Sequence, residues 1–307
     1  MKRFQTLRTI LISMVLCLFL SLPVVSYAEE TTGTTQTTGT TTDTKTETKK
    51  SKKYKSQFDE EGNFYDSEGY MIQKSTIRHL LETALLPVGK TVYVWGGGWN
   101  KTTPVTIGVS PQWEKFFKQQ TSKYNYKNTL YQSKNGLDCS GFVSWVLYNT
   151  FNTESGHGSF LMLAQQMAKT YGSWGWGLYR SARKFKNQKA GDIMSLAAGH
   201  VYIVIGRCSD GSIVLVHSSP KGVMINGTVS STGKKKSKAW WLARKYMKKY
   251  YPEWYAKFPD VSRGKDYLRK YSKMSWYIGT QNSVMTDPEG LRNMSADQVL
   301  KVIFHEV

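Results

Sequence analysis

A cysteine at the start of an apolar run is the feature of this sequence best suited to covalent chemistry. Cys139 directly follows Asp138, and Phe142, Val143 and Val146 recur after it at helical spacing. Asp138 is a suitable N-cap, which places Cys139 in the first turn of the predicted helix. Unpaired backbone N–H groups and the positive end of the helix dipole stabilise a thiolate there. The sequence therefore predicts that Cys139 is a nucleophile with a lowered pKa.

A thiolate that cleaves an amide needs a base to accept and return a proton, and a third group to orient that base. Histidine is the natural base, and the chain contains five histidines. His200 follows Gly199 at the start of a predicted strand, where its side chain can face the N-terminus of a helix laid across the sheet. His217 ends the next predicted strand. We therefore take His200 as the candidate base, with His217 on the partner strand.

The expected strand register places these two histidines far apart. If Asp210 and Gly211 form a two-residue hairpin turn, His217 pairs opposite Val204. It then lies on the same face of the sheet as His200, but about four residues along, which is about 13 Å at about 3.3 Å per residue. The rings cannot share a hydrogen bond over that distance without a strong twist, a bulge or a different strand arrangement.

The predicted elements that position these residues change from helical to strand periodicity along the chain. Helices are expected over 76–86, from 139 to about 152 and over 161–171, and a strand that runs into a glycine turn is expected at 93–98. Short strands separated by glycine and serine turns follow at 192–196, 200–207, 213–217 and 223–225. Helices followed by an antiparallel meander indicate an α+β domain. A final helix is predicted from the capping box of Ser295 and Gln298.

The beginning of the chain has the pattern of a secretory signal peptide. The cations Lys2, Arg3 and Arg8 precede an uncharged apolar stretch over 10–22, and small residues end at Ala28. We predict that residues 1 to 28 are removed on export, with an uncleaved anchor as the alternative. The mature protein is therefore expected to be secreted, and its positive charge favours association with an anionic cell wall.

Three regions are predicted after the signal peptide. Residues 29–57 are rich in threonine, contain almost no apolar residue and are expected to form a disordered linker. The acidic and aromatic segment 58–74 is expected to form a short hairpin, whose loops are too short to supply the six or more oxygens of a calcium site. Residues 75–307 are expected to form the catalytic domain, with a basic and aromatic C-terminal extension from about residue 230.

The number of cysteines and the net charge further limit the class of protein to which this chain can belong. Loss of the signal peptide removes Cys17 and leaves Cys139 and Cys208, which we expect to be free thiols, Cys208 being structural. The formal net charge of +20 includes three signal-peptide cations and falls to +17 without them. Because an exported protein seldom meets nucleic acid, anionic wall polymers or a membrane surface are the expected partners.

A basic and aromatic run in the C-terminal part could attract such a polymer. Lysines over 234–249 are interleaved with Trp240, Trp241, Tyr246 and Tyr250. The run is interpreted either as a polymer-binding helix or as a solvated helix face whose aromatic residues pack onto the domain.

Five short motifs follow one another along the chain: Tyr93-Val94-Trp95-Gly96-Gly97, Asp138-Cys139-Ser140-Gly141-Phe142-Val143, Ala190-Gly191-Asp192-Ile193, Gly199-His200-Val201 and Val216-His217. In this order they resemble the NlpC family of bacterial cell-wall cysteine peptidases. Any one motif alone would be a weak signal, whereas the ordered set is specific. The resemblance covers roughly residues 76–228, and the tail over 287–300 is similar to the tails of larger members.

The resemblance implies a papain-like α+β fold in which N-terminal helices pack on an antiparallel β-sheet. It implies hydrolysis of peptidoglycan stem peptides, commonly between γ-D-glutamate and a diamino acid, without a metal or a cofactor. By position, Cys139 would be the nucleophile, His200 the base and His217 the residue that orients the base. Tyr93 would lie beside the thiolate, with its hydroxyl near the oxyanion. We expect a monomer that acts on stem peptides.

Three other functions fit this sequence. A site of this kind could instead cleave the amide between muramic acid and L-alanine, or transfer the acyl group to another amine. A domain of another class, a non-catalytic wall-binding module, could use the basic aromatic segment for adhesion. Residue types do not separate the two enzymatic alternatives from the endopeptidase.

Overall fold

The structure, a computed structural model, describes residues 59–61, 63–65, 71–99, 108–151, 160–279 and 281–306. The predicted signal peptide and the predicted linker lie outside these residues. All of the described residues belong to one compact unit. Within them, no helix combines the length and the apolar character that crossing a membrane would require.

The strands fall into one large sheet and two small pairs. In chain order the strands are β1 (Phe64–Tyr65), β2 (Met71–Ile72), β3 (Ser75–Thr76), β4 (Gly177–Arg180), β5 (Ile193–Leu196), β6 (His200–Arg207), β7 (Ile213–Ser219), β8 (Gly222–Thr228), β9 (Ser262–Arg263), β10 (Tyr271–Trp276) and β11 (Met285–Thr286). β1 pairs antiparallel with β2, and β3 pairs parallel with β11.

The large sheet has seven strands in the order β4-β10-β5-β6-β7-β8-β9. Strands β5 to β8 form the predicted antiparallel meander, because short turns join neighbouring strands. The strand β10 pairs antiparallel with both β4 and β5, and β9 adds a short parallel pair to β8. The structure is therefore of the α+β class, with a mostly antiparallel sheet.

Seven α-helices lie in the described residues: α1 (Ile77–Leu85), α2 (Pro111–Lys118), α3 (Cys139–Phe151), α4 (Met167–Ser173), α5 (Lys238–Tyr250), α6 (Pro252–Lys257) and α7 (Ala296–Ile303). Short 3-10 helices occur at Tyr126–Asn128, Ser133–Asn135, Lys265–Leu268 and Leu291–Asn293. The predicted capping box is confirmed, since Ser295 caps α7 and Gln298 bonds back to it. The helix predicted over 161–171 begins later, at Met167.

Helix α3 lies in the centre of the domain. All but one of its residues are buried, and it packs against α1, β6 and β7. A helix that is apolar on every side belongs in a core, whereas the sequence pattern suggested a single apolar stripe. The N-terminus of α3, which begins with Cys139, therefore lies across β6 and β7, the strands that carry His200 and His217.

The segment 93–98, predicted as a strand that runs into a glycine turn, contains the turn but not the strand. Val92 forms single bridges to Gly136 and to Gly222, and turns occupy the residues after Val94. The backbone of Tyr93 bonds to Lys221, whereas that of Val94 bonds to Leu137. The segment therefore connects the residues just before α3 to the start of β8, and among the described residues it forms single bridges and no β-ladder.

The region from about residue 230, predicted as a C-terminal extension, contributes the helices α5 to α7 and two strands of the large sheet. β10 lies between β4 and β5, in the interior of the sheet, and β9 extends the far edge. The aromatic residues of α5 differ in burial, since Tyr246 is buried in the core whereas Trp241 is half exposed. A sequence pattern shows local periodicity, but it does not show where in a sheet a distant strand is inserted.

Candidate active site

Asp138 caps α3 and fixes the conformation of its first turn. Its Oδ1 accepts hydrogen bonds from the backbone N–H of Gly141, at 2.7 Å, and from the hydroxyl of Ser140, at 2.8 Å. Its Oδ2 accepts a bond from the N–H of Gly96, at 3.1 Å. The predicted N-cap is confirmed, and the same carboxylate joins the glycine turn to the helix that begins with Cys139.

Two backbones cross closely at this point, which explains the glycines in both motifs. A Cβ on Gly141 would lie 2.0 Å from the carbonyl oxygen of Gly97, and one on Gly98 would lie 2.7 Å from the Cα of Gly141. Gly98 also has a φ of +85°, a left-handed conformation that favours glycine. The loop can therefore lie directly on the first turn of α3.

Cys139 lies against the start of β6. Its side chain lines a cleft of about 440 Å³. The thiol donates to the carbonyl of Gly199 at 3.9 Å, and the backbone N–H of Val201 also faces the sulfur. These two residues flank His200, the first residue of β6. The fold thus brings the predicted nucleophile and the predicted base to one place.

The pKa of Cys139 moves in the direction opposite to the prediction. Burial raises the pKa of its thiol to about 12, and the negative charge of Asp138 adds to the rise. Hydrogen bonds from backbone N–H groups, including those of Val201 and Ser140, oppose the rise without cancelling it. Without substrate, therefore, the site holds a protonated thiol near neutral pH. The prediction of a lowered pKa is wrong because it considered the end of the helix and neither the burial nor the adjacent carboxylate.

A row of three side chains extends behind Cys139 across β6, β7 and β8. Nε2 of His200 lies 2.8 Å from Nδ1 of His217, and Nε2 of His217 lies 2.6 Å from Oδ1 of Asn226. An amide oxygen only accepts hydrogen bonds, so His217 donates from Nε2 and accepts at Nδ1. His200 then donates from Nε2, which leaves its Nδ1 free of a proton. Nδ1 is therefore the nitrogen of His200 that is able to accept a proton.

Both histidines are uncharged near neutral pH. Burial lowers the pKa of His200 to about 3, and the charge of Arg263 lowers it further. Burial also lowers the pKa of His217 well below its usual value; Arg263 and His200 act in the same direction, and the bond to Asn226 opposes them. A neutral imidazole is the form that acts as a general base.

The expected distance of about 13 Å between the histidines is wrong. The turn between β6 and β7 contains one more residue than expected, because the N–H of Cys208 bonds to the carbonyl of Ser212. A bulge between Val204 and Gly206 shifts the register by a further residue, and Val216 pairs with Ile203. His217 consequently lies beside Tyr202, close enough along the strand for its ring to reach His200.

Tyr93 lies where the resemblance placed it, in the wall of the cleft beside Cys139. Its side chain is buried, and burial is the main reason that its pKa rises, with further contributions from Cys139 and Asp138. The phenol therefore stays protonated and keeps its ability to donate a hydrogen bond. Its carbonyl accepts a bond of 2.6 Å from the hydroxyl of Tyr124, which holds the segment in place.

Three further residues of the site, which come from β8 and from the region after residue 230, were not predicted from the sequence. Asn226 completes the row of side chains, and its signal was a single amide in an otherwise apolar strand. Tyr267 packs edge-on against His200 and His217, with ring centroids 5.8 and 5.9 Å away. Arg263 affects both histidines through its charge. No local pattern connects Tyr267 or Arg263 with the histidines, because β9 and β10 join the sheet far along the chain.

The rim of the cleft is aromatic. Trp95 and Tyr131 are 49% and 74% exposed, and the indole of Trp99 donates to the hydroxyl of Ser140 at 3.0 Å. Tyr131 has a φ of 61°, which is uncommon for a non-glycine residue, and it is held by a backbone bond to Trp95. Exposed aromatic faces beside a nucleophile can hold an extended ligand in place.

In the described residues, neither the Cys208 thiol nor the acidic side chains form a second reactive or metal-binding site. Cys139 and Cys208 are both free. Burial raises the pKa of the Cys208 thiol to about 11. No group of three or more histidine, cysteine or acidic side chains in the described part of the chain is arranged to hold a metal ion.

Comparison with known proteins found no matching family model, no similar curated protein and no similar solved structure.

Proposed function

We propose that this chain is a secreted cysteine peptidase of the NlpC type that hydrolyses amide bonds in peptidoglycan stem peptides. One observation carries the proposal: Cys139 begins α3 against the start of β6, where the row of His200, His217 and Asn226 also begins. A central helix packed on β6 and β7 supports a papain-like arrangement. The ordered motifs and the signal-peptide pattern support the substrate class and the export.

The reaction starts from neutral groups. Nδ1 of His200 takes the proton from the thiol of Cys139 as the sulfur attacks the carbonyl carbon of the amide. The thiol turns from the carbonyl of Gly199 towards the imidazole in this step. His217 and Asn226 hold the imidazole with its proton on Nε2, which leaves Nδ1 to accept the proton of the thiol.

The protein must then stabilise the negative oxygen of the tetrahedral intermediate. Backbone N–H groups in the first turn of α3 and the hydroxyl of Tyr93 are the donors beside the sulfur. The imidazolium returns its proton to the leaving amine, and a thioester remains on Cys139. A water molecule, deprotonated by His200, attacks the thioester and releases the carboxylic acid and the free thiol.

The proposed bond is the one between γ-D-glutamate and the diamino acid of the stem peptide. Cleavage between muramic acid and L-alanine, or transfer of the acyl group to an amine, would use the same residues. These three reactions differ in the masses of their products. Mass spectrometry of the soluble fragments released from purified peptidoglycan therefore distinguishes them.

The test compares the protein without its signal peptide with Cys139→Ala and with the matched variant Cys208→Ala. We expect release of peptide fragments to fall at least about a thousandfold in Cys139→Ala, because the nucleophile is lost. Release is expected to be unchanged in Cys208→Ala, because that buried thiol lies outside the cleft. Intact stem peptides after incubation with the unmodified protein would contradict the proposal and would favour a wall-binding module.

A further inference from the structure

A second cleft, of about 460 Å³, opens on the side of the domain formed by β9, α6 and the start of β8. It shares no lining residue with the cleft of Cys139. Its charged lining residues are Lys221, Lys257, Arg263 and Asp260, and Ser122 and Ser219 add hydroxyl groups. The cleft is therefore lined by three cations and one carboxylate.

Arg263 is a poorly compensated charge in this cleft. Its side chain is only 15% exposed, and in the described part of the chain the one carboxylate within 4.0 Å is that of Asp260, at 3.9 Å. Asp260 is itself 79% exposed, so water weakens that interaction. The guanidinium donates to the hydroxyl of Ser219 at 2.7 Å and to the carbonyl of Ser262. A largely buried cation normally has an anionic partner close by.

The two lysines that line the cleft with Arg263 are held mainly by contacts with neutral groups. The ammonium of Lys221 donates to the carbonyl of Tyr124 at 2.8 Å and lies over the ring of Phe258. The ammonium of Lys257 lies over the ring of Phe117, and the carboxylate of the exposed Glu253 is 3.5 Å away. These contacts fix the positions of the positive charges, and the one carboxylate among them is exposed to water, so it compensates the charge of Lys257 only weakly.

The geometry points to a binding site for an oxyanion, a phosphate or carboxylate group, centred on Arg263. The planar fork of a guanidinium suits two oxygens of such a group, and the lysines and the hydroxyl of Ser219 border the same space. An oxyanion there supplies the missing negative charge. A phosphate would come from an anionic wall polymer, and a carboxylate from a peptide.

The site lies one side chain away from the histidines. Tyr267 lines this cleft, and its ring also packs against His200 and His217. The oxyanion site does not depend on cleavage by Cys139, because the two clefts are separate.

The test measures binding of inorganic phosphate and of acetate by isothermal titration calorimetry at low ionic strength, with the Cys139→Ala protein. We expect saturable binding of at least one of the two anions. Arg263→Gln should weaken it at least about tenfold, and Arg263→Lys, which keeps the charge without the fork, by less. The matched control is Arg269→Gln, which removes the same charge from an exposed side chain and should change the affinity less than about twofold.

Preference for phosphate would indicate a polymer phosphate as the occupant, and preference for acetate a peptide carboxylate; either result supports the site. Absence of saturable binding of both anions would overturn it, and so would equal weakening by Arg263→Gln and Arg269→Gln, which indicates diffuse charge attraction. Thermal unfolding of each variant verifies that it is folded. Because the protein used lacks the nucleophile, this result stands or fails independently of the peptidase proposal.

Discussion

The side chain of Asn226 lies at the far end of the histidine pair from Cys139, buried with His217 between β7 and β8. Its amide oxygen determines which nitrogen of His217 carries the proton, and through His217 it determines which nitrogen of His200 is free. Asn226 is thus a positioning residue, since it acts on the base through another ring.

Asn226→Leu is expected to lower kcat/KM on peptidoglycan fragments about a hundredfold, because His200 then loses its fixed tautomer. Asn226→Asp should retain more activity, since a carboxylate also accepts from Nε2 of His217. Its negative charge should raise the pKa of the histidines and move the acid limb of the pH profile upward. A purely structural role for Asn226 would leave that limb in place, so the pH profile of kcat/KM is the decisive measurement.

The raised pKa of Cys139 predicts how the alkylation of this thiol depends on pH in the absence of substrate. In a Cys208→Ala background, the alkylation rate of Cys139 by iodoacetamide is expected to increase with pH, with a midpoint above the free-cysteine value of about 8.5. The physical reason is that burial and Asp138 favour the neutral thiol. A reactive plateau that persists below about pH 7 would instead indicate a thiolate paired with an imidazolium, as the sequence alone suggested.

At the scale of elements, the close crossing of the glycine turn and α3 determines where the nucleophile lies. Gly141 occupies the first turn of the helix, where alanine would be the better helix former. The carbonyl of Gly97 lies where the new Cβ would go, so packing outweighs helix propensity at this position.

Gly141→Ala is therefore expected to destabilise the protein by about 1–3 kcal/mol, the range for overpacking a filled core. The matched control is Gly264→Ala, where a Cβ meets nothing within 4 Å and the backbone is extended with a φ of −77°. That control should be close to neutral or slightly stabilising. Urea unfolding of both variants measures the difference, and equal stabilities would contradict the close crossing.

At the scale of the whole molecule, Asp192 ties the C-terminal part of the chain to the sheet. Its fully buried carboxylate pairs with Arg292 at 3.0 Å and with Lys273 at 3.5 Å, and it accepts from the hydroxyl of Ser275 at 2.7 Å. These partners come from β10 and from the 3-10 helix before α7. One acidic residue of a predicted motif thus joins segments that are distant in the sequence.

Asp192→Asn is expected to cost about 3–5 kcal/mol of folding free energy, because it leaves two buried cations without their counter-charge. The control is Asp266→Asn, which breaks the pair of Asp266 with Lys270 at 2.9 Å, where both side chains are more than half exposed. An exposed pair of this kind contributes about 0–1 kcal/mol. Chemical denaturation of both variants measures the contrast, and a loss below about 1 kcal/mol for Asp192→Asn would show that the network contributes little.

The local elements were predictable from the sequence because their signals lie within a few residues. The strand 200–207 and the helix that starts at Cys139 are observed with the bounds expected or within a residue or two of them. Alternation of apolar residues, an N-cap aspartate and turn glycines act through neighbouring residues only. The resemblance selected Cys139, His200, His217 and Tyr93, and the structure brings these side chains to one end of α3 and one stretch of the sheet.

The sequence by itself thus determined which residue types could react and which local elements carry them. Tertiary structure decided the remaining properties. The longer turn and the bulge between β6 and β7 brought His217 to His200, and the strands β9 and β10 brought Arg263 and Tyr267 close to both histidines. Burial raised the pKa of Cys139. Strand register, solvent exclusion and the sum of nearby charges depend on contacts between residues far apart in the chain. No local pattern encodes those contacts, so the electrostatics of the site are a property of the folded molecule.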